Sequence, residues 1–63
     1  MPVIIVEGSP LDQAQKEELI KTLSQEASRI MRVPVKKYII LIKENAPDNI
    51  GVGDITLNKL HSM

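Results

Sequence analysis

Pro2, which directly follows Met1, is the residue of this chain best suited to acid–base chemistry at neutral pH. A small second residue normally allows an initiator methionine to be removed, so we expect Pro2 to carry a free secondary amine. An exposed α-amino group has a pKa of about 7.7–8.0, and burial among apolar groups lowers it. The four β-forming residues at 3–6 would fix this amine to a strand. The sequence thus indicates a general base for moving a proton beside a carbonyl. The alternative is that Pro2 only begins an edge strand, where proline is tolerated.

The composition predicts one small domain, residues 1–63, that does not complete its own core. The chain has no cysteine and a single aromatic residue, Tyr38, although 43% of it is hydrophobic. Disulfides are excluded and no metal-ligand spacing is present, so the fold has no cross-link of either kind. In small aliphatic chains of this type, another subunit commonly completes the core.

Charge and hydropathy argue against two classes of partner. Eight basic and eight acidic side chains give a formal net charge of zero, whereas nucleic acid binding needs a basic face. No apolar run approaches the roughly 20 residues that span a membrane, and no signal peptide is visible. We therefore expect a cytoplasmic protein with neither nucleic acid nor membrane as a partner.

The first half of the chain is predicted to form a strand followed by a helix. Residues 3–6 form a continuous apolar run, typical of a strand covered on both faces, and residues 7–10 supply turn signals. Asp12 is the predicted N-cap, and Gln15 completes a capping box with it. From there to about Met31 the apolar residues share one arc of about 120°, which predicts an amphipathic helix.

The second half predicts another buried strand and a small hairpin. Residues 38–43 are apolar almost throughout, and strand–helix–strand is the pattern of a β-α-β unit with parallel strands, so the fold class is α+β. Both edges of such a sheet are open, and we expect an obligate oligomer that covers them. Residues 45–53 are rich in turn formers. Residues 54–63 are read as a short tail that packs on a neighbour and carries a solvated His61.

Lys16 is the unusual residue of the predicted helix, because it falls in the middle of the apolar arc. One interpretation is that its stem packs while its amine reaches solvent beyond the first turn. The other is that its cation binds a carboxylate substrate.

The order and spacing of these features resemble the 4-oxalocrotonate tautomerase family over essentially the whole chain. The shared features, in chain order, are Met1-Pro2, Glu7-Gly8, Gln15-Lys16 before Leu19-Ile20, Pro34, Glu44 and Asn49-Ile50-Gly51-Val52-Gly53. The resemblance implies a β-α-β subunit assembled into hexamers, usually a trimer of dimers. It also implies cofactor-free proton transfer on 2-keto acids and their enols, with the amine of Pro2 as the catalytic base.

Three positions depart from the family's pattern. Ser9 stands where characterised members have an arginine that binds the distal carboxylate. Ile39 stands where a second arginine contacts the 2-keto acid end, and Ile50 replaces a phenylalanine that keeps the proline's surroundings dry. These three residues and Tyr38 are the candidate substrate-binding residues beside the catalytic Pro2. Tyr38 could donate a hydrogen bond to an enolate oxygen, or it could serve only in packing.

The length of the first strand places Ser9 far from Pro2 within one chain. Ser9 lies seven residues along the strand from Pro2, roughly 20 Å away at about 3.3 Å per residue. Residues of the 8–16 loop could therefore reach a Pro2 amine only from another subunit. Possible substitutes for the missing arginines are the lysines at 16, 36, 37 and 43, each of which is otherwise a solvated surface residue.

The prediction is an enzyme: a cofactor-independent tautomerase that moves a proton between the keto and enol forms of a 2-keto acid or related carbonyl compound. Two alternatives stay open. One is an oligomeric module that has kept the fold and lost the chemistry, and the other is a decarboxylase or hydratase that uses the same proline. All catalytic versions require the removal of Met1, because a proline nitrogen within a peptide bond has no basic lone pair.

Overall fold

The computed structural model describes residues 1–61 and has the predicted α+β architecture. Its elements, in order, are β1 (Val3–Gly8), α1 (Gln13–Met31), a 3-10 turn (Val35–Lys37), β2 (Ile39–Glu44), a second 3-10 turn (Pro47–Asn49), β3 (Gly51–Val52), β4 (Ile55–Thr56) and α2 (Leu57–His61). β1 and β2 form a parallel pair, and β3 and β4 form an antiparallel hairpin. The expected β-α-β unit with a C-terminal hairpin is confirmed. Residues 62 and 63 of the predicted tail lie outside the described residues.

The two long strands are paired in a fixed register that runs from Val3 opposite Ile39 to Gly8 opposite Glu44. β1 is therefore longer than the predicted 3–6. Its last two residues carry turn signals, but their backbone pairs with the end of β2, and this pairing outweighs local preference. β2 begins one residue later than predicted. The Tyr38 N–H donates to the Val35 carbonyl at 3.2 Å and so closes the preceding 3-10 turn.

The helix begins and ends at local signals. The Asp12 carboxylate accepts from the Gln15 N–H at 2.8 Å, and the Gln15 side chain accepts from the Asp12 N–H at 3.1 Å, so the predicted capping box is present. The helix ends at Met31 as expected. Arg32 adopts the left-handed conformation (φ 59°), and its N–H donates to the Ser28 carbonyl at 2.9 Å. This closes the helix before Pro34, whose ring disfavours helical backbone in the residue before it.

The sheet is covered on one face only within the single chain. Alternate residues of both strands point to opposite faces, and Ile4, Val6, Ile40 and Ile42 are half-buried where α1 packs on the sheet. On the other side the open sheet face is formed by Val3 (52% exposed), Ile5 (52%), Ile39 (36%) and Leu41 (44%). The expectation that the strands are covered on both faces is therefore wrong for the isolated subunit. None of the described side chains is fully buried.

The C-terminal residues 47–61 pack chiefly on one another rather than on the sheet. The Leu57 N–H donates to the Ile50 carbonyl at 2.7 Å, and the Asn58 amide donates to the Asp48 carboxylate at 2.8 Å. The predicted tail is thus β4 followed by the short helix α2, and Leu60 is 40% exposed on it.

The subunit is elongated, with extents of 44 × 23 × 14 Å and a radius of gyration of 15.0 Å. A compact domain of this length would have a radius of gyration of about 11 Å. The C-terminal residues therefore form an arm that projects from the β-α-β unit. Within residues 1–61, no helix combines the length and the apolar character required to cross a membrane.

Candidate active site

Pro2 lies at the amino-terminal end of the parallel sheet. Its carbonyl accepts a hydrogen bond of 3.0 Å from the Ile39 N–H, so the backbone of Pro2 is held against the first residue of β2. The side chain of Pro2 is half-buried, whereas Met1 is 84% exposed. With Met1 attached, the Pro2 nitrogen is an amide.

The single chain brings only part of the predicted site together. Ile39 is the hydrogen-bonded neighbour of Pro2, and its side chain belongs to the open sheet face. Ser9 lies beyond the opposite end of β1, where the Asn45 N–H donates to the Gly8 carbonyl at 2.8 Å. Ile50 is half-buried within the projecting arm. Neither Ser9 nor Ile50 adjoins Pro2 along the strand pairing.

Tyr38 precedes β2 and sits beside the Pro2 end of the sheet. Its hydroxyl oxygen is shielded from solvent and has no hydrogen-bond partner among the described residues. A phenolic hydroxyl in this state is not available to a ligand that arrives from solvent at the single subunit. The position of Tyr38 near Pro2 was predictable, but the enclosure of its hydroxyl has no sequence signal.

A second polar cluster lies at the other end of the sheet and was not predicted. One carboxylate oxygen of Glu44 forms an ion pair with the Lys16 ammonium at 2.7 Å, and the other accepts from the Leu11 N–H at 2.9 Å. Glu44 therefore ties the end of β2 to the loop before α1 and to the first turn of that helix. The hydrogen bonds from Lys16 and Leu11 hold the pKa of the Glu44 carboxyl below its ordinary value.

This cluster gives Lys16 a partner within the chain that neither interpretation of this residue included. The ammonium, on a side chain that is 32% exposed, is bound by the chain's own Glu44 rather than left free in solvent. It therefore offers no uncompensated positive charge to a substrate. Two sequence features pointed toward the pair, a lysine on the apolar arc of the helix and a glutamate at the end of the strand beneath it. Within residues 1–61, no group of three histidine, aspartate or glutamate side chains could hold a metal ion.

The architecture of a parallel β-α-β unit with a proline before its first strand is that of the tautomerase fold, and comparison with known proteins agrees. The family model described as tautomerase enzyme matches residues 2–59. DmpI from Archaeoglobus fulgidus is 35% identical, with a TM-score of 0.82 over 90% of this chain and 98% of that one. The chain belongs to the 4-oxalocrotonate tautomerase family.

Two further solved structures show the same fold. A heterohexamer 4-oxalocrotonate tautomerase from Chloroflexus aurantiacus is 28% identical, with a TM-score of 0.79 over 95% of this chain and 97% of that one. TomN, a 4-oxalocrotonate tautomerase homologue of the tomaymycin biosynthetic pathway, has a TM-score of 0.91 over 98% and 97%. TomN is only 19% identical, so its similarity concerns the fold alone. No curated protein matches the sequence.

Replacing Glu44 by glutamine should destabilise the protein at neutral pH and remove part of its acid sensitivity. The folded-state pKa of Glu44 is lowered, so its stabilising effect is complete above the unfolded value of about 4.3 and is lost as pH falls through the lower, folded value. We expect the difference in unfolding free energy between wild type and Glu44→Gln to be constant above about pH 5.5 and to shrink below about pH 4. Urea unfolding at one fixed protein concentration measures this difference.

The matched control is Glu7→Gln, at the same end of the sheet on the neighbouring strand, where an exposed carboxylate is removed. Lys16→Met should reproduce part of the effect, because it removes one of the two partners of Glu44. A difference between wild type and Glu44→Gln that stays the same from pH 7 to pH 3 would rule out the ion pair as its source.

Replacing Tyr38 by phenylalanine removes the enclosed hydroxyl and keeps the ring. A buried polar group without a partner costs about 1–3 kcal/mol. We therefore expect the free energy of unfolding to stay unchanged or to rise by up to that amount. If Tyr38→Phe lowered the stability by more than about 1 kcal/mol, the hydroxyl would have a hydrogen-bond partner in the assembled protein.

Proposed function

We propose that this protein is a cofactor-independent tautomerase in which the amine of Pro2, released by removal of Met1, is the general base. The observation that supports this most directly is the position of Pro2. It follows an exposed Met1, is half-buried, and is held by the 3.0 Å hydrogen bond from the Ile39 N–H. A base that is fixed in this way loses little freedom when it meets a substrate.

The proposed reaction moves one proton. The unprotonated amine removes a proton from the carbon beside the carbonyl, or from the enol oxygen, and the electron pair is delocalised as an enolate. The protonated amine then returns the proton to another atom of the same conjugated system, which regenerates the free base. No bond forms between protein and substrate. Turnover should rise with pH as the amine loses its own proton.

The apolar side chains near Pro2 fit this role. Val3 and Ile39 lie next to it on the open sheet face. If another subunit covers this face, the amine is removed from water, and its pKa falls below the ordinary range of about 7.7–8.0. In this proposal Ile39 and Ile50 form an apolar wall around the substrate, Ser9 approaches from a neighbouring subunit, and Tyr38 contributes packing at the edge of the site.

We also propose that the active form is a homo-oligomer, with a hexamer built as a trimer of dimers as the expected state. The described chain has no fully buried side chain, leaves four aliphatic residues on its open sheet face, and projects its C-terminal arm away from the sheet. The relative from Chloroflexus aurantiacus is itself a heterohexamer. In such an assembly residues 1–63 act as one domain whose core and site are both completed by neighbours.

The second candidate is a non-catalytic oligomeric module. It is favoured by Ser9 and Ile39, which leave both ends of the candidate site without the guanidinium groups of the family pattern. A decarboxylase or hydratase that uses the same proline would share the base and differ in substrate. The experiments below separate the catalytic proposals from the module, and product analysis separates the catalytic proposals from one another.

Replacing Pro2 by alanine, which also allows Met1 to be removed, exchanges the rigid ring amine for a more mobile primary amine. The rate of enol-to-keto conversion of phenylpyruvate should fall about 10²-fold, the size of effect that misplacement of a reacting group produces. Ultraviolet absorbance of the enol follows the reaction. The control is Gln25→Ala, which changes an exposed residue of α1 that has no part in the proposed site and should leave the rate unchanged. Equal rates for Pro2→Ala and wild type would contradict the proposal that the fixed ring amine of Pro2 sets the rate.

The intact mass of the same preparations should lack one methionine. The proposed base exists only in that processed form, so activity should scale with the processed fraction. A fully active preparation that retains Met1 would contradict the proposal independently of any substitution.

Replacing Leu41 by lysine should dissociate the oligomer. Leu41 is 44% exposed at the open sheet face, and a charge there would have to lose its water in the interface. We expect sedimentation equilibrium to give a smaller mass for Leu41→Lys than for wild type, and the wild-type mass for the volume-conserving control Leu41→Met. An unchanged mass for Leu41→Lys would show that another surface holds the assembly together.

A further inference from the structure

Lys36 and Lys37 occupy the 3-10 turn that leads directly into β2. This turn is fixed by the Lys37 N–H, which donates to the Pro34 carbonyl at 2.9 Å, and by the N–H of Tyr38, which donates to Val35. β2 then begins at Ile39, whose N–H is bonded to the Pro2 carbonyl. Two adjacent cations are therefore held at the same end of the sheet as the proposed base.

Chain geometry allows an anion bound by these lysines to lie within reach of Pro2. The Cα of Lys37 is at most about 7.6 Å from that of Ile39, because each Cα step spans about 3.8 Å. A lysine side chain extends a further 6 Å or so over five single bonds of about 1.5 Å. An ammonium on this turn can therefore reach the space beside Pro2, where the reacting carbonyl would lie.

The charges of these two lysines are not compensated within the described chain. Both side chains are exposed, and neither forms an ion pair with a carboxylate of residues 1–61. Lys16 is bound to Glu44 at 2.7 Å, and Arg29 is bound to Glu26 at 2.6 Å. The lysine pair is thus an uncompensated positive charge at the same end of the sheet as Pro2.

We propose that Lys36 and Lys37 together bind the carboxylate of the substrate and so select carbonyl compounds that carry an anionic group beside the reacting carbonyl. This inference rests on the proposed function of Pro2 and deepens it, because it assigns specificity to residues outside the positions of the family arginines. An ammonium binds a carboxylate as a flexible point charge on a four-carbon stem.

The first test compares a charged substrate with its neutral ester. In the double variant Lys36→Gln/Lys37→Gln, kcat/KM for the enol of phenylpyruvate should fall about ten- to a hundredfold, mainly through a higher KM, as expected for the loss of charge-assisted hydrogen bonds. For the enol of methyl phenylpyruvate, kcat/KM should stay within about twofold of wild type, because charge-assisted contacts contribute nothing to an uncharged group.

Two further variants are controls. Lys36→Arg/Lys37→Arg keeps the charge and should retain most of the preference for the acid over its ester. Lys21→Gln removes an exposed lysine of α1 and should leave the kinetics of both substrates at wild-type values. If the double glutamine variant lowered kcat/KM equally for the acid and the ester, or for neither, the lysines would not be the carboxylate site.

A binding measurement separates this inference from the role of Pro2. Phenyllactate carries the carboxylate but cannot tautomerise, so its affinity can be measured by calorimetry in the Pro2→Ala background. We expect the two glutamine substitutions to weaken this binding about tenfold or more. Weakened binding would support the lysine site even if Pro2→Ala kept its turnover, whereas unchanged binding would overturn the lysine site even if Pro2 proved to be the base.

Discussion

The parallel pairing of β1 with β2 is the constraint on which the rest of the structure depends. In a parallel pair both strands begin at the same end of the sheet, so the residues before each strand are neighbours. The Ile39 N–H bonded to the Pro2 carbonyl fixes this end, and the pairing of Gly8 with Glu44 fixes the other. One register thus places the proposed base beside the Lys36–Lys37 turn, and it places Ser9 a full strand length away.

The small size of this sheet explains why a single chain completes neither its core nor the candidate site. Two strands and one helix can cover one face, and the described chain leaves the other face and the C-terminal arm without a partner. Glu44 becomes important in this setting, since its bonds to Lys16 and to the Leu11 N–H hold the loop before α1 in place. Because these bonds already hold the loop within the single chain, the loop would not have to become ordered when a neighbouring subunit contacts it.

The sequence predicted those features that arise from local signals. The capping box of Asp12 and Gln15 and the helix end at Met31 were predictable, because each depends on residues within one helical turn. The end of β1 was misplaced since strand pairing overrode the turn signals of Glu7 and Gly8. The ion pair of Lys16 with Glu44 joins residues far apart in the chain, and only the packing of α1 on β2 brings them together. Pro2 stood out by its chemistry, but its bond to Ile39 required the register.

The candidate site differs from the family pattern in the type of cation that lies near Pro2. An arginine offers a planar fork that fixes a carboxylate in one orientation, whereas a lysine offers a mobile point charge. Lys16 is bound to Glu44 at the far end of the sheet, whereas Lys36 and Lys37 lie at the Pro2 end and form no ion pair with the described carboxylates. A carboxylate held there would be attracted strongly but oriented loosely, and orientation supplies much of the rate in a proton transfer between fixed groups. Under the two proposals above, the chain would combine a fixed base with a permissive anion site, and that combination would favour tolerance for several carbonyl acids over speed with one.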